Sequence, residues 1–117
     1  MSKIDYSTLK VPEVCVCDFC LLPLGTGSPS VSTEVAEIQK LVRASGLNYT
    51  LHSAGTTIEG PWNEVMSVVG KAHTLVHQMG AARIQTDMRV GTRTDKKQPF
   101  ADKVKKVEEI LSKETQG

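Results

Sequence analysis

Hydrophobic and polar positions change period several times along the chain, and each change marks an element. Residues 14–25, VCVCDFCLLPLG, are β-branched, Cys and aromatic, closed by Pro23 and Gly25, which predicts a first strand. After the loop GTGSPS the spacing turns helical, with Val35, Ile38, Leu41 and Val42 recurring on one side. Ser30 or Ser32 can cap that helix, Glu34 sits in its first turn near the positive dipole end, and Gly46 ends it as a left-handed cap. LNYTLH and TTIEG are two short strand-like pieces joined through Ser53, Ala54 and Gly55, the pattern of a hairpin or bulged bend. Pro61 suits the first turn of a second helix, where its missing N–H would have no partner. Val65, Met66, Val69, Ala72, His73 and Val76 form that helix's stripe, and Gly80 stops it. Residues 82–92 alternate: Ile84, Thr86, Met88 and Val90 face one way, Gln85, Asp87, Arg89 and Gly91 the other. Pro99 then opens a last helix with Phe100, Val104, Val107 and Leu111 on one side.

The order is β-α-β-β-α-β-α. Helices fall between strands, yet the middle pair is a hairpin, which predicts an α+β fold, the ferredoxin-like split βαβ sandwich, with an extra C-terminal helix. Residues 1–12 read as a loose tail and 13–114 as one domain. A chain of 117 residues can bury a real core without disulfides or metal. Such a fold covers one sheet face with helices and leaves the other open. Ile84, Met88 and Val90 belong to the covered face. Asp18, Asp87 and Arg89 belong to the open face with Cys20, Leu22 and Leu24, where charged groups need water, a partner chain or a ligand.

Composition narrows the function classes. One Trp, two Tyr and two Phe are few rings for a single-stranded nucleic-acid platform, so no nucleic-acid partner is expected. No run of 18 apolar residues spans a membrane, and MSKIDYSTLKVPE lacks the apolar core of a secretory signal. Three cysteines packed into CVCDFC make no disulfide framework, which predicts a reducing, cytoplasmic setting. The net charge of +1 is uneven: from Arg83 to Lys106 eight basic residues, Lys97 among them, stand against three acids. That asymmetry fits either an anion-binding edge or a solvated helix and loop.

Candidate chemistry follows from side-chain type. Thr56, Thr57 and Glu59 offer hydroxyls and a carboxylate that suit the ring nitrogens and amine of an aminopyrimidine. The same residues also suit plain structure, two good strand formers and an acid that caps the following helix. Asp87 and Arg89 lie two apart on one strand and can pair. A remaining Arg, such as Arg93, can hold a phosphate or join an ion pair between subunits. On a strand Cys15 and Cys17 point away from Cys20, so three thiolates cannot converge on one ion. His73 and His77 have metal-clamp spacing on a helix, but Val69 and Gly70 one turn back supply no third ligand. GTGSPS lacks the Lys of a phosphate loop, and TLHSAGT is not a nucleophile elbow. His52 as acid or base with Glu59 as its orienter is the one catalytic arrangement on offer, and nothing in the pattern demands it. No metal and no cofactor is expected.

LLPLGTGSPSVS, HSAGTTIEGPWNEVM and RIQTDMRVGTRTDK resemble the thiamine-binding-protein-like family of small uncharacterised proteins, once filed as a domain of unknown function. The resemblance is especially close to a fungal cytosolic member and covers about residues 14 to 111. The resemblance implies a ferredoxin-like fold, assembly as dimers or dimers of dimers, and binding of thiamine or its pyrimidine precursor. Where members nearer the type pattern carry Met before the Gly-Thr pair, this chain has Ala54, which reshapes that spot. With the resemblance added, Thr56, Thr57 and Glu59 read as ligand contacts, and the expected ligand-binding set is Asp18, His52, Thr56, Thr57, Glu59, Asp87, Arg89 and Arg93. The expected function is non-enzymatic binding of thiamine or its pyrimidine part by a homo-oligomer. The alternatives are an enzyme or anion binder acting on a small phosphorylated metabolite, and a structural oligomer without ligand.

Overall fold

Alternation in the strands and the 3.6-residue stripes in the helices converge on one layer of core. The computed structural model describes residues 3–96 and 99–116. Four strands, β1 (Val14–Leu24), β2 (Asn48–His52), β3 (Gly55–Pro61) and β4 (Arg83–Gly91), form one antiparallel sheet in the order β2-β3-β1-β4. Helices α1 (Ser32–Ser45) and α2 (Trp62–Gln78) cover one face, and α3 (Phe100–Gln116) follows β4. This is the split βαβ arrangement with an added helix.

The core is Cys15, Cys17, Phe19 and Leu21 of β1, Ile58 of β3, Ile38 and Val42 of α1, and Val65, Val68, Val69, Ala72 and Val76 of α2. Every second residue of β1 from Cys15 to Leu21 enters it, because a strand sends successive side chains to opposite faces. Val68 joins the stripe expected on α2, and His73 sits half-buried at its margin, bonded to Thr86 Oγ1 of β4 at 2.6 Å.

Two helix starts differ from expectation. The cap of α1 is Val31, not a serine: the Ser30 and Ser32 hydroxyls bond each other at 3.2 Å, while Val35 N–H reaches the Val31 carbonyl. Pro61 is the last residue of β3 and the cap of α2, one position before the first turn. There its missing N–H leaves no donor unmet, and Trp62 N–H bonds the Glu13 carbonyl at 2.9 Å. Gly46 takes the left-handed cap with φ 75°. The tail before β1 holds one short 3-10 turn, Tyr6–Thr8, capped by Asp5.

Candidate functional site

The hairpin turn between β2 and β3 is where sheet, turn and α1 leave a gap. His52 pairs with Gly55, so Ser53 and Ala54 make the turn. Gly55 is required there, since a Cβ would stand 2.5 Å from the Phe19 carbonyl oxygen. Beyond this point β1 runs on without β3 beside it, and α1 closes the side. A cavity of about 190 Å³ results, with Phe19, Val31, Val35, Ile38 and Leu51 as apolar walls and the Ser53–Gly55 turn as its rim.

Two polar groups serve this cavity. Thr56 lies on the helix-covered face and is 3% exposed. Gln39 of α1 donates from Nε2 to Thr56 Oγ1 at 2.8 Å, and its Oε1 is buried without a hydrogen-bond partner among the described residues. Turning the amide over would pair the oxygen with the hydroxyl and orphan the nitrogen, so either orientation leaves one amide atom unmet. Buried orphans of this kind are rare in folded proteins. Gln39 is absent from the expected set. Its signal was a polar residue four after Val35, within the apolar helical stripe.

Of the other expected residues His52 also lines this cavity, and the rest lie elsewhere. Thr57, one step from Thr56, faces the open side and aligns with Thr50, Asp18 and Arg89 across the four strands. Asp18 Oδ1 receives His52 Nε2 at 2.6 Å and Thr57 Oγ1 at 3.4 Å. Ala54 N–H donates to His52 Nδ1 at 3.2 Å, so Nδ1 is the accepting nitrogen and Nε2–H donates to Asp18. Both ring nitrogens are thereby committed, and neither is left to activate a nucleophile. His52 thus braces the turn that rims the cavity.

Glu59 also has both oxygens in use. Oε1 accepts from Asn48 Nδ2 at 2.6 Å and Oε2 from the Phe100 N–H at 3.0 Å. The carboxylate caps a helix, as the structural alternative held, but the helix is α3, 41 positions on, not α2. Asp87 and Arg89 form no ion pair with each other among the described residues. Arg93 instead grips Asp95 through two bonds, Nε to Oδ1 at 2.7 Å and Nη2 to Oδ2 at 2.5 Å. That guanidinium holds the Asp95 carboxyl down at about 2. A second cavity, about 400 Å³, lies on the open face over Val14, Val16 and Gly60, edged by Arg93, Lys96 and Lys103. Lys97 of the basic stretch lies outside the described residues.

Burial raises the Cys15 thiol and pushes Cys17 up to about 11, with Cys15 and Asp18 adding to the effect, so both behave as apolar core groups. His77 donates from Nδ1 to the Ala81 carbonyl while His73 holds Thr86, so the two rings serve separate partners. Among the described residues no group of three His, Cys, Asp or Glu side chains is placed to hold a metal ion, and no helix is long and apolar enough to cross a membrane.

Comparison with known proteins agrees with this architecture. Residues 17–108 match the family model described as thiamine-binding protein. UPF0045 protein ECM15 of Eremothecium gossypii is 58% identical over 81% of this chain and 90% of its own. UPF0045 protein sll0230 of Synechocystis is 48% identical over 91% and 86%. The structure of MJ1052 from Methanocaldococcus jannaschii superposes with TM-score 0.74 at 26% identity, over 84% of this chain and 99% of its own. TM0486 of Thermotoga maritima, assigned provisionally to thiamine biosynthesis or salvage, superposes with TM-score 0.69 at 17% identity, over 80% and 98%. The chain therefore belongs to the thiamine-binding protein family.

Proposed function

We propose that this protein binds a small heteroaromatic amine, thiamine or its pyrimidine part, in the cavity under the β2–β3 turn and releases it unchanged. The observation that carries this reading is Gln39, which lines the cavity beside Thr56 and keeps one buried amide atom unmet among the described residues. An aminopyrimidine presents a ring nitrogen next to an exocyclic amine, an acceptor and a donor side by side, which complements a primary amide in either orientation. An apolar cavity of about 150 Å³ accepts benzene. The present one therefore has room for one substituted ring, with thiamine's cationic thiazolium left at the mouth near Asp18 and His52. The family name and the Thermotoga relative point the same way. The protein works in the cytoplasm as a homo-oligomer, a dimer or a dimer of dimers, since the open sheet face exposes Leu22 and Leu24.

A thermal-shift screen tests the proposal. A ligand at 100 times its Kd stabilises the fold by about 2.7 kcal/mol. Thiamine or an aminopyrimidine should raise the Tm, and Gln39→Leu should abolish the rise. A second reading, an anion site for a small phosphorylated metabolite, rests on the cations edging the open-face cavity. Stabilisation by phosphates alone would favour it. No shift with any of these ligands would leave a structural oligomer.

A further inference from the structure

Charge is unevenly placed around the cavity under the β2–β3 turn. Among the described residues no Lys, Arg, Asp or Glu lines it. Gln39 and Thr56 stand at its inner end, and its mouth is set by side chains that reach solvent, Leu51, 53% exposed, and Leu22, 40%. The two cations of α1 are engaged elsewhere: Lys40 holds Glu37 at 2.9 Å, and Arg43 Nε donates to the Tyr49 hydroxyl at 3.5 Å. A phosphate drawn into this cavity would lose its water with no charged donor to replace it, which is a costly burial.

A carboxylate stands beside the mouth. His52 lines the cavity with Nε2 placed 2.6 Å from Asp18 Oδ1, while its Nδ1 accepts the Ala54 N–H. An imidazole that accepts at one nitrogen carries one proton and no charge, so His52 orients Asp18 without neutralising it. The Asp18 side chain keeps 48% of its surface in solvent. Its cross-strand neighbour Arg89 lies on the far side, on β4, and the next pair along these strands adds a second acid, Asp87 opposite Cys20. We infer that the Asp18–His52 pair makes the cavity a charge filter: the ring enters, and the substituent left at the mouth is cationic or neutral. The protein then takes thiamine or the free hydroxymethyl aminopyrimidine and turns away the phosphate ester of that pyrimidine. One methylene carbon bears the thiazolium, the hydroxyl or the phosphate in these three molecules, so they differ most in the charge set at the mouth. The thiazolium is drawn to the carboxylate and the phosphate is repelled by it. The inference rests on the binding reading proposed above and names which members of that class the site accepts.

Displacement of bound thiamine reads this site alone, and the competitors are the pyrimidine alcohol and its phosphate ester, each added to the full chain. The alcohol should compete about tenfold better than the ester or more, and added salt should narrow the gap because it screens exposed charges. Asp18→Asn keeps an acceptor for the His52 Nε2–H and removes the charge. In that variant the gap should shrink to about threefold or less, and thiamine should bind more weakly. Leu51→Lys sets a cation at the mouth and leaves the Asp18–His52 pair in place, so it should raise the ester's affinity. An ester that competes as well as the alcohol in the wild type would overturn the charge filter and leave the binding reading standing. A gap that neither variant narrows would do the same, since size alone would then be excluding the ester. If neither thiamine nor the alcohol raises the Tm of the wild type, both readings fall together.

Discussion

Thr56 and Thr57 carry the same side chain to opposite sides of β3, so the same substitution has different costs. Thr56→Val leaves the Gln39 Nε2 group without its acceptor as well as Oε1 without a donor. An unmet buried polar group costs about 1–3 kcal/mol. Thr57→Val removes only a 3.4 Å contact to Asp18, which keeps its bond from His52. The urea midpoint should drop clearly for Thr56→Val and by less than half as much for Thr57→Val. Gly55→Ala drives a methyl against the Phe19 carbonyl and should destabilise by roughly 1–3 kcal/mol, the range for overpacking, with the loss read from the same curves. The alternation of β3 was legible, but which threonine met a helix was not, because Gln39 reaches it from 17 positions away. The ends of Glu59's two bonds were hidden for the same reason: Phe100 follows it by 41 positions.

At the scale of elements, periodicity carried most of the information. The stripe of α2 and the inward residues of β1 are strong patterns, and core burial enforces them. Helix ends were read less well. Ser30 and Ser32 have the chemistry of caps, yet each hydroxyl is taken by the other, and backbone geometry places the cap at Val31. The attachment of α3 gives a test confined to one element. Glu59→Ala removes the acceptor of the Phe100 N–H, and losing a helix cap costs about 0.5–2 kcal/mol. Hydrogen exchange should quicken through the first turns of α3 while the amides of β1 and α2 keep their protection. Equal acceleration in all three elements would show that Glu59 holds the whole fold together.

The whole molecule is extended for its length. Its radius of gyration is 17.8 Å, against about 13 Å for a compact chain of this size, and it measures 54 × 50 × 24 Å. The excess fits α3 standing off the body. Stability of the body should depend on alkaline pH through Cys17. Its thiol is pushed up to about 11 from 9.0, chiefly by burial. Between those values the unfolded chain releases a proton that the folded chain keeps, so this contribution is whole below about pH 9 and fades as pH rises toward 11. Melts at stepped pH should show Tm falling across that window. Cys17→Ala, less stable at neutral pH because it opens a cavity, should show a shallower fall.

The unmet atom of Gln39 sets two selection pressures against each other. The interior carries an unanswered hydrogen bond, which on the binding reading proposed above an arriving amine would answer. Replacing both partners with apolar groups of like shape, Gln39→Leu with Thr56→Val, should leave the empty protein as stable as before or firmer by about 1 kcal/mol. A library enriched for heat resistance alone should drift toward aliphatic residues at 39 and 56. One enriched for ligand retention should hold Gln and Thr, so the sequences that survive each regime would reveal whether position 39 is kept for folding or for its guest.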